Sequence, residues 1–184
     1  MMRTEPVTGA DAEKLLEIYA PYVENTAIFF EYDVPTAEEF AERIETITAK
    51  YPYIKAVDES GNIFGYAYAC SFKSRPAYAR AVETSIYVRQ DSRRRGTGRL
   101  LYEELERLLK DMGILNMNAC IVYPREGRDD ERVTKDSVRF HEKMGFSQAG
   151  HFHDIGYIFD KWYDVIWMEK SIGMHTTGQK FNIK

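Results

Sequence analysis

Residues 81–112 read AVETSIYVRQDSRRRGTGRLLYEELERLLKDM, and the fold turns on how this stretch divides. Val82, Thr84, Ile86 and Val88 alternate with β-branched side chains, the pattern of a strand. An arginine-glycine turn follows, then an amphipathic helix. Its Leu101, Leu105, Leu108 and Met112 fall at i, i+4, i+7 and i+11 on one face, and Glu103, Glu104, Arg107 and Lys110 lie elsewhere on its surface. Strand, glycine turn and helix start make an anion site, because the first helical N–H groups have no intrahelical acceptor and the macrodipole adds partial positive charge. Gly96 and Gly98 are expected to let the main chain approach phosphate oxygens with no Cβ in the way. No Lys-Ser/Thr pair follows the glycines, so this is not a P-loop, and the third glycine and acidic partner of a dinucleotide fold are missing. The alternative is an arginine-rich turn that merely faces water.

The 184 residues suit one domain with a sizeable core. With 44% apolar and 14% aromatic residues the chain is not disordered, and no apolar run reaches membrane-spanning length. MMRTEPVTGADAEK has no apolar segment after its arginine, so no secretory signal and a cytoplasmic location are expected. Cys70 and Cys120 sit in apolar strand-like runs and read as reduced core thiols. The net charge of −4 argues against a nucleic-acid-coating protein. Arg89, Arg93, Arg94, Arg95 and Arg99 nevertheless concentrate at the glycine turn, which suits a ligand carrying several phosphates.

Residues 3–7 fit a short edge strand. Thr8 and Asp11 open a helix with Leu15, Ile18, Tyr19 and Tyr22 on its apolar face, expected to stop near Pro21. Residues 25–35 form a loop rich in aromatics (Phe29, Phe30, Tyr32) beside Glu31, either plugging the core or covering a substrate. Thr36 and Glu39 make a capping box for a second helix with Phe40, Ile44 and Ile47 inward. Residues 53–57 and 63–70 read as antiparallel strands, and 114–123 as a buried fifth strand ended by Pro124. Residues 124–136 are a polar loop. Thr134 or Asp136 caps the helix SVRFHEKM, which Gly145 terminates. Residues 148–159 and 164–170 close the chain as an antiparallel pair turning at Asp160 and Lys161. The expected organisation is one domain over 1–172 and a flexible tail over 173–184. His151, His153 and Asp154 form H-x-H-D with both histidines on one strand face, but the sequence offers no third and fourth ligand, so no metal is assigned.

The segment Arg93-Arg94-Arg95-Gly96-Thr97-Gly98 fits the R/Q-x-x-G-x-G/A acyl-CoA signature, and the chain resembles the GCN5-related N-acetyltransferase (GNAT) family. NTAIFFEYDVPTAEEF, GYAYACSFKSRPAYARAVETSIYV, SVRFHEKMGF and GYIFDKWYDVIWMEK resemble its phosphinothricin acetyltransferase-like branch, and the resemblance spans about residues 7–170. It implies an α+β acyltransferase fold: a central mixed, mostly antiparallel sheet of about seven strands with helices on both faces. It also implies transfer of acetyl from acetyl-CoA, as co-substrate and without a metal, to the α-amine of a small amino acid or analogue, by a homodimer with no nucleic-acid or membrane partner.

Each chemical task then has candidates. An α-amine with a pKa of roughly 8 is largely charged at neutral pH, so a carboxylate must take its proton, and Glu83 is the candidate base, acting through a water. His141 stands where many of these enzymes carry a tyrosine that protonates the departing thiolate. Main-chain donors near Val88 and Arg89 are expected to stabilise the oxyanion. Tyr87, Val88, Arg93, Arg94, Arg95, Gly96, Thr97, Gly98, Arg99, Thr134 and Ser137 are the coenzyme-binding candidates. Phe30, Glu31, Lys73, Arg75 and Tyr78 are the substrate-binding ones, Arg75 offering bidentate geometry to a carboxylate. Three features depart from the family pattern: Thr134 replaces an asparagine, the 124–136 loop is long, and Gly156-Tyr157-Ile158 replaces a Gly-x-Lys. A non-catalytic acyl-CoA-binding regulator and a protein N-acetyltransferase are the competing functions.

Overall fold

A computed structural model of the protein describes residues 2–92, 95–124 and 130–178. Its strands are β1 (Arg3–Pro6), β2 (Tyr53–Val57), β3 (Ile63–Ser71), β4 (Ala81–Val88), β5 (Asn116–Tyr123), β6 (Ser147–Ile158) and β7 (Lys161–Ser171), and its helices α1 (Ala12–Asn25), α2 (Ala37–Thr48), α3 (Thr97–Asp111) and α4 (Asp136–Lys143). All seven strands join one sheet in the order β1-β2-β3-β4-β5-β7-β6. Neighbours are antiparallel except β4 and β5, which pair in parallel only from Ala81↔Asn116 to Glu83↔Asn118. Beyond that short ladder each strand runs on for about half its length without pairing to the other.

Alternation sorts the sheet's side chains onto two faces, with a smaller third cluster of Ala27, Val122, Val133, Ile158, Tyr163 and Val165. Tyr53, Val57, Tyr66 and Tyr87 pack beneath α1 and α2. Ile54, Ala67, Val82, Met117, Ala119, Ile166 and Met168 pack on the other face beneath α3, with Phe140 of α4 and Met144 just after it against them. Both helix starts on the first face are fixed by the polar patterns in the sequence: Thr8 N–H donates to Asp11 Oδ2 (2.9 Å), and Thr36 and Glu39 bond reciprocally (2.8 and 3.2 Å).

Several details differ from the sequence reading. Helix α1 continues through Pro21 to Asn25. The bond that Pro21 removes is to the carbonyl of Glu17, an exposed position, while burial of Tyr22 and Val23 favours the extra turn. Tyr22 Oη then donates to the Val88 carbonyl at 2.6 Å, tying α1 to the end of β4. In α3 the buried stripe is Leu101, Tyr102, Leu105 and Leu109, whereas Met112 is 46% exposed. The buried face is thus made of i, i+1, i+4 and i+8, and Met112 is the C-cap, one residue past the end of the helix. The β6–β7 hairpin turns at Phe159 and Asp160, both with positive φ (51° and 57°), the two-residue geometry that matches strand twist. Cys70 and Cys120 are free thiols, but neither is fully buried, because both alternate onto the face opposite the Ala119 core. Of the tail, residues 179–184 lie outside the described residues, as do 125–129 of the polar loop.

One polar chain is buried in the α3–α4 core. His141 Nδ1 lies 2.7 Å from the Ser137 carbonyl, which can only accept, so Nδ1 carries the proton and Nε2 accepts from Tyr102 Oη at 2.8 Å. Thr84 Oγ1 lies 3.3 Å from the same hydroxyl and donates to the Asn118 carbonyl at 3.2 Å. Burial holds the His141 pKa down at about 4 against its ordinary 6.5. With the folded-state value depressed, the unfolded chain takes up the proton first, so this residue removes stability as pH falls from about 6.5 toward 4. The loss is on the order of 3 kcal/mol at most. Denaturant unfolding across that window should show a shallower pH dependence for His141→Gln than for the wild type.

Candidate active site

Glu83 stands where the β4–β5 ladder ends, with Cys70 across from it on β3 and Asn118 on β5. Asn118 Nδ2 donates to the Val82 carbonyl at 3.0 Å and fixes the vertex from which the two strands part. Alternation turns Glu83, Ser85 and Tyr87 toward the α1–α2 face. Burial raises the Glu83 pKa, and the positive charge of Lys73 opposes that rise. The thiols of Cys70 and Cys120 are pushed up to about 11, by burial first and the Glu83 charge second, so neither is a ready thiolate. Burial raises the Tyr68 hydroxyl as well, with a smaller contribution from the Glu83 charge.

An aromatic wall flanks the carboxylate. Phe72 meets Trp167 edge-on at 5.5 Å and Tyr78 at 5.9 Å, and Lys73 Nζ lies 5.1 Å from the Phe72 ring and 5.7 Å from the Trp167 ring. Lys73 and Tyr78 therefore meet around Phe72, while Arg75 stands exposed at the start of the short 3-10 turn Pro76–Tyr78. The 26–35 loop divides its aromatics. Phe29 plugs the core against Tyr19 and Tyr87 (both 5.1 Å), whereas Phe30 is 38% exposed and lies on Gly156 so closely that a Cβ there would collide with its ring. Glu31 accepts from Tyr19 Oη at 2.9 Å and pairs with Arg43 at 2.8 Å. Its charge is thus already balanced, which makes it an anchor of the loop.

The start of α3 forms an open glycine turn. Gly96 takes φ +83°, which favours glycine, and has open space where a Cβ would stand. Arg95 and Arg99 flank it, both exposed; Arg93 and Arg94 lie outside the described residues. Gly98 has a different reason from the one expected: a Cβ there would come within 3.0 Å of Phe140, so this glycine lets α4 close onto α3. The Thr97 side chain is buried, leaving only its main chain for a ligand. At the start of α4, Thr134 Oγ1 accepts from the Asp136 N–H at 3.3 Å, and the Ser137 carbonyl is used by His141.

Three expected roles change. His141 is neutral, 3% exposed and bonded through both ring nitrogens, so it is not placed as the acid for a departing thiolate. The Tyr87 ring is buried in the aromatic core on the α1–α2 face, away from α3. The Arg89 N–H donates to the Phe64 carbonyl at 2.9 Å and is not free for an oxyanion. The sequence reading also missed Phe72, Tyr68 and Trp167 as site residues. Their signal was parity: once Glu83 is placed in register, strand alternation puts Tyr68 on its face. A surface cavity of about 340 Å³ between Lys14, Glu17, Asn62 and Arg89 opens at the far end of β4 and does not include Glu83.

The sheet, the parted strands and the α3 turn have close counterparts. The Acetyltransferase (GNAT) domain family matches residues 5–167. Phosphinothricin N-acetyltransferase of Streptomyces viridochromogenes is 31% identical over 160 residues, covering 87% of this chain and 82% of that one. L-methionine sulfoximine/L-methionine sulfone acetyltransferase of Pseudomonas aeruginosa is 30% identical over 164 residues, 89% of this chain and 90% of its own. The crystal structure of a GNAT phosphinothricin acetyltransferase from Sinorhizobium meliloti in complex with AcCoA superposes with a TM-score of 0.87 at 31% identity, covering 99% of this chain and 94% of that one. The chain belongs to the GNAT acetyltransferase family, in its phosphinothricin acetyltransferase-like branch, and is an acetyl-CoA-dependent N-acetyltransferase.

Proposed function

We propose that this enzyme acetylates the α-amine of a small amino acid or amino-acid analogue of the phosphinothricin or methionine sulfone type, with Glu83 as the proton acceptor. The observation that carries the reading is a half-buried carboxylate of raised pKa at the point where β4 and β5 part, beside a cation and an aromatic wall. Acetyl-CoA supplies the electrophilic acetyl thioester. The start of α3, with Arg95, Gly96 and Arg99, is suited to hold its phosphates, and the main chain of β4 beyond Glu83 to hold its pantetheine arm.

On the chain's side of the reaction, Glu83 draws a proton from the substrate ammonium through one water and so frees the nitrogen lone pair. The raised pKa helps: a base closer in strength to an amine of pKa roughly 8 takes the proton more readily. Lys73, with Tyr78 nearby and Arg75 on the same loop, offers cationic and hydroxyl partners for a carboxylate or phosphinate, and Phe72 and Trp167 shed water from the slot. With His141 bonded in the core, the thiolate takes its proton from solvent. The reading further includes one acetyltransferase domain over residues 1–172, cytoplasmic residence, and a homodimer formed through the β6–β7 hairpin, whose Tyr157 and Trp162 are 43% and 51% exposed.

Glu83→Gln should bind coenzyme A as the wild type does and lose about 10²- to 10⁴-fold in kcat, together with the acidic limb of the kcat/KM profile. Unchanged turnover would remove Glu83 from the role. In Lys73→Met that limb should move to higher pH, because the charge that holds the Glu83 pKa down is gone, and KM for carboxylate-bearing amines should rise while KM for acetyl-CoA stays constant.

A further inference from the structure

The H-x-H-D segment of β6 lacked a third ligand in the sequence, and the fold supplies one from β7. His151 Nε2 lies 2.9 Å and His153 Nδ1 3.1 Å from the same oxygen, Oδ2 of Asp164. All three atoms fall within 4.8 Å of one another. We propose that His151, His153 and Asp164 form a binding site for a zinc-class divalent cation, separate from the acetyl-transfer centre.

Four features support the site. The first is orientation. Asp164 is 3% exposed, and its other oxygen, Oδ1, accepts the Asp154 N–H at 2.9 Å. That bond turns Oδ2 outward, as outer bonds orient metal-ligating carboxylates. It depends on a bulge: pairing of β6 with β7 shifts between Phe152 and Gly156, and Asp154 takes φ +46°, a conformation aspartate tolerates better than most residues.

The second is fit. Tetrahedral zinc with bonds of about 2.0–2.1 Å sets its ligand atoms about 3.3 Å apart. Two of the three separations here are within about 0.5 Å of that edge. The remaining one, between the two imidazoles, closes by rotation of His153, whose side chain is 70% exposed.

The third is donor chemistry. Two imidazole nitrogens and one carboxylate oxygen favour zinc, with copper and nickel as competitors, over magnesium or calcium, which prefer all-oxygen shells. The fourth is an open position. The same exposure of His153 leaves room for a water as fourth ligand. Binding replaces the two N–H···O contacts on Oδ2: each ring presents an unprotonated nitrogen to the cation, and its proton goes to the other ring nitrogen or to solvent.

The site is a clamp across the β6–β7 bulge. Asp164 alternates with Ile166 and Met168 on the α3 side of the sheet, whereas Glu83 faces the α1–α2 side, so the cation does not reach the reacting carbonyl. It does bear on the chain beyond β5: His151 meets Tyr123 edge-on at 5.7 Å, and Lys135 Nζ lies 5.1 Å from the Tyr123 ring, just before α4.

Cobalt(II) titration of the chelator-treated full chain tests this, read by visible absorption, with zinc then added to displace it. The wild type should develop the intense d–d bands of a low-coordinate N/O site, lose them on zinc addition, and melt at a higher temperature with zinc present. His153→Ala, a change at an exposed position, should bind at least tenfold more weakly, about 1.4 kcal/mol, and lose the zinc-dependent rise in Tm. His151→Ala should behave the same way. Metal-free wild type and His153→Ala should acetylate at equal rates. The proposal fails if the cobalt spectrum stays that of the hydrated ion, if either histidine variant binds as tightly as the wild type, or if near-ultraviolet thiolate-to-cobalt bands place the ion on Cys70 or Cys120.

Discussion

The parallel ladder between β4 and β5 stops after three residue pairs, and the rest of the molecule is arranged around that stop. The Asn118 amide and the Thr84 hydroxyl cross-link the two strands at the vertex. Past it, strand edges that would otherwise bond to each other are available to a ligand that can imitate a strand, as an amide-bearing pantetheine arm does. Unpaired main-chain groups are costly unless water or a ligand satisfies them, so the opening is a cost to the sheet. The helices serve this opening from both sides. Helix α3 presents its N-terminus at one end, and Gly98 allows α4 to pack against it. On the opposite face Tyr22 of α1 holds the far end of β4 through the Val88 carbonyl.

Glu83 is poised by two opposing influences. Burial raises its pKa, and the positive charge of Lys73 opposes the rise. A fully exposed glutamate would be a weaker base, and a fully buried unpaired one would stay protonated. The intermediate placement follows from its position at the end of a ladder, where one neighbouring strand has begun to leave.

Much of this was legible in the sequence, for a physical reason. The strand-turn-helix unit, both capping boxes and the alternation of β3, β4 and β5 are local patterns, and local patterns fix element type. The position of Glu83 in β4 followed from the same alternation. What failed was whatever depends on tertiary packing. Pro21 does not end α1 because burial of Tyr22 and Val23 outweighs one lost hydrogen bond, and Met112 leaves the core because α3 ends one residue before it. His141 looked like an acid because its place on α4 was known while its partners, Tyr102 and the Ser137 carbonyl, were not. The surroundings of Phe72, Trp167 and Asp164 were invisible for the same reason: each meets its neighbours from another strand or loop.

Backbone amide hydrogen exchange, recorded with and without coenzyme A, addresses the parted strands most directly, since it reads main-chain groups one by one. Slowed exchange at residues 85–88 and 95–98 on adding the coenzyme, with the amides around Lys14 and Asn62 unaffected, is the outcome this account predicts. Protection that leaves both of those segments unchanged would contradict it.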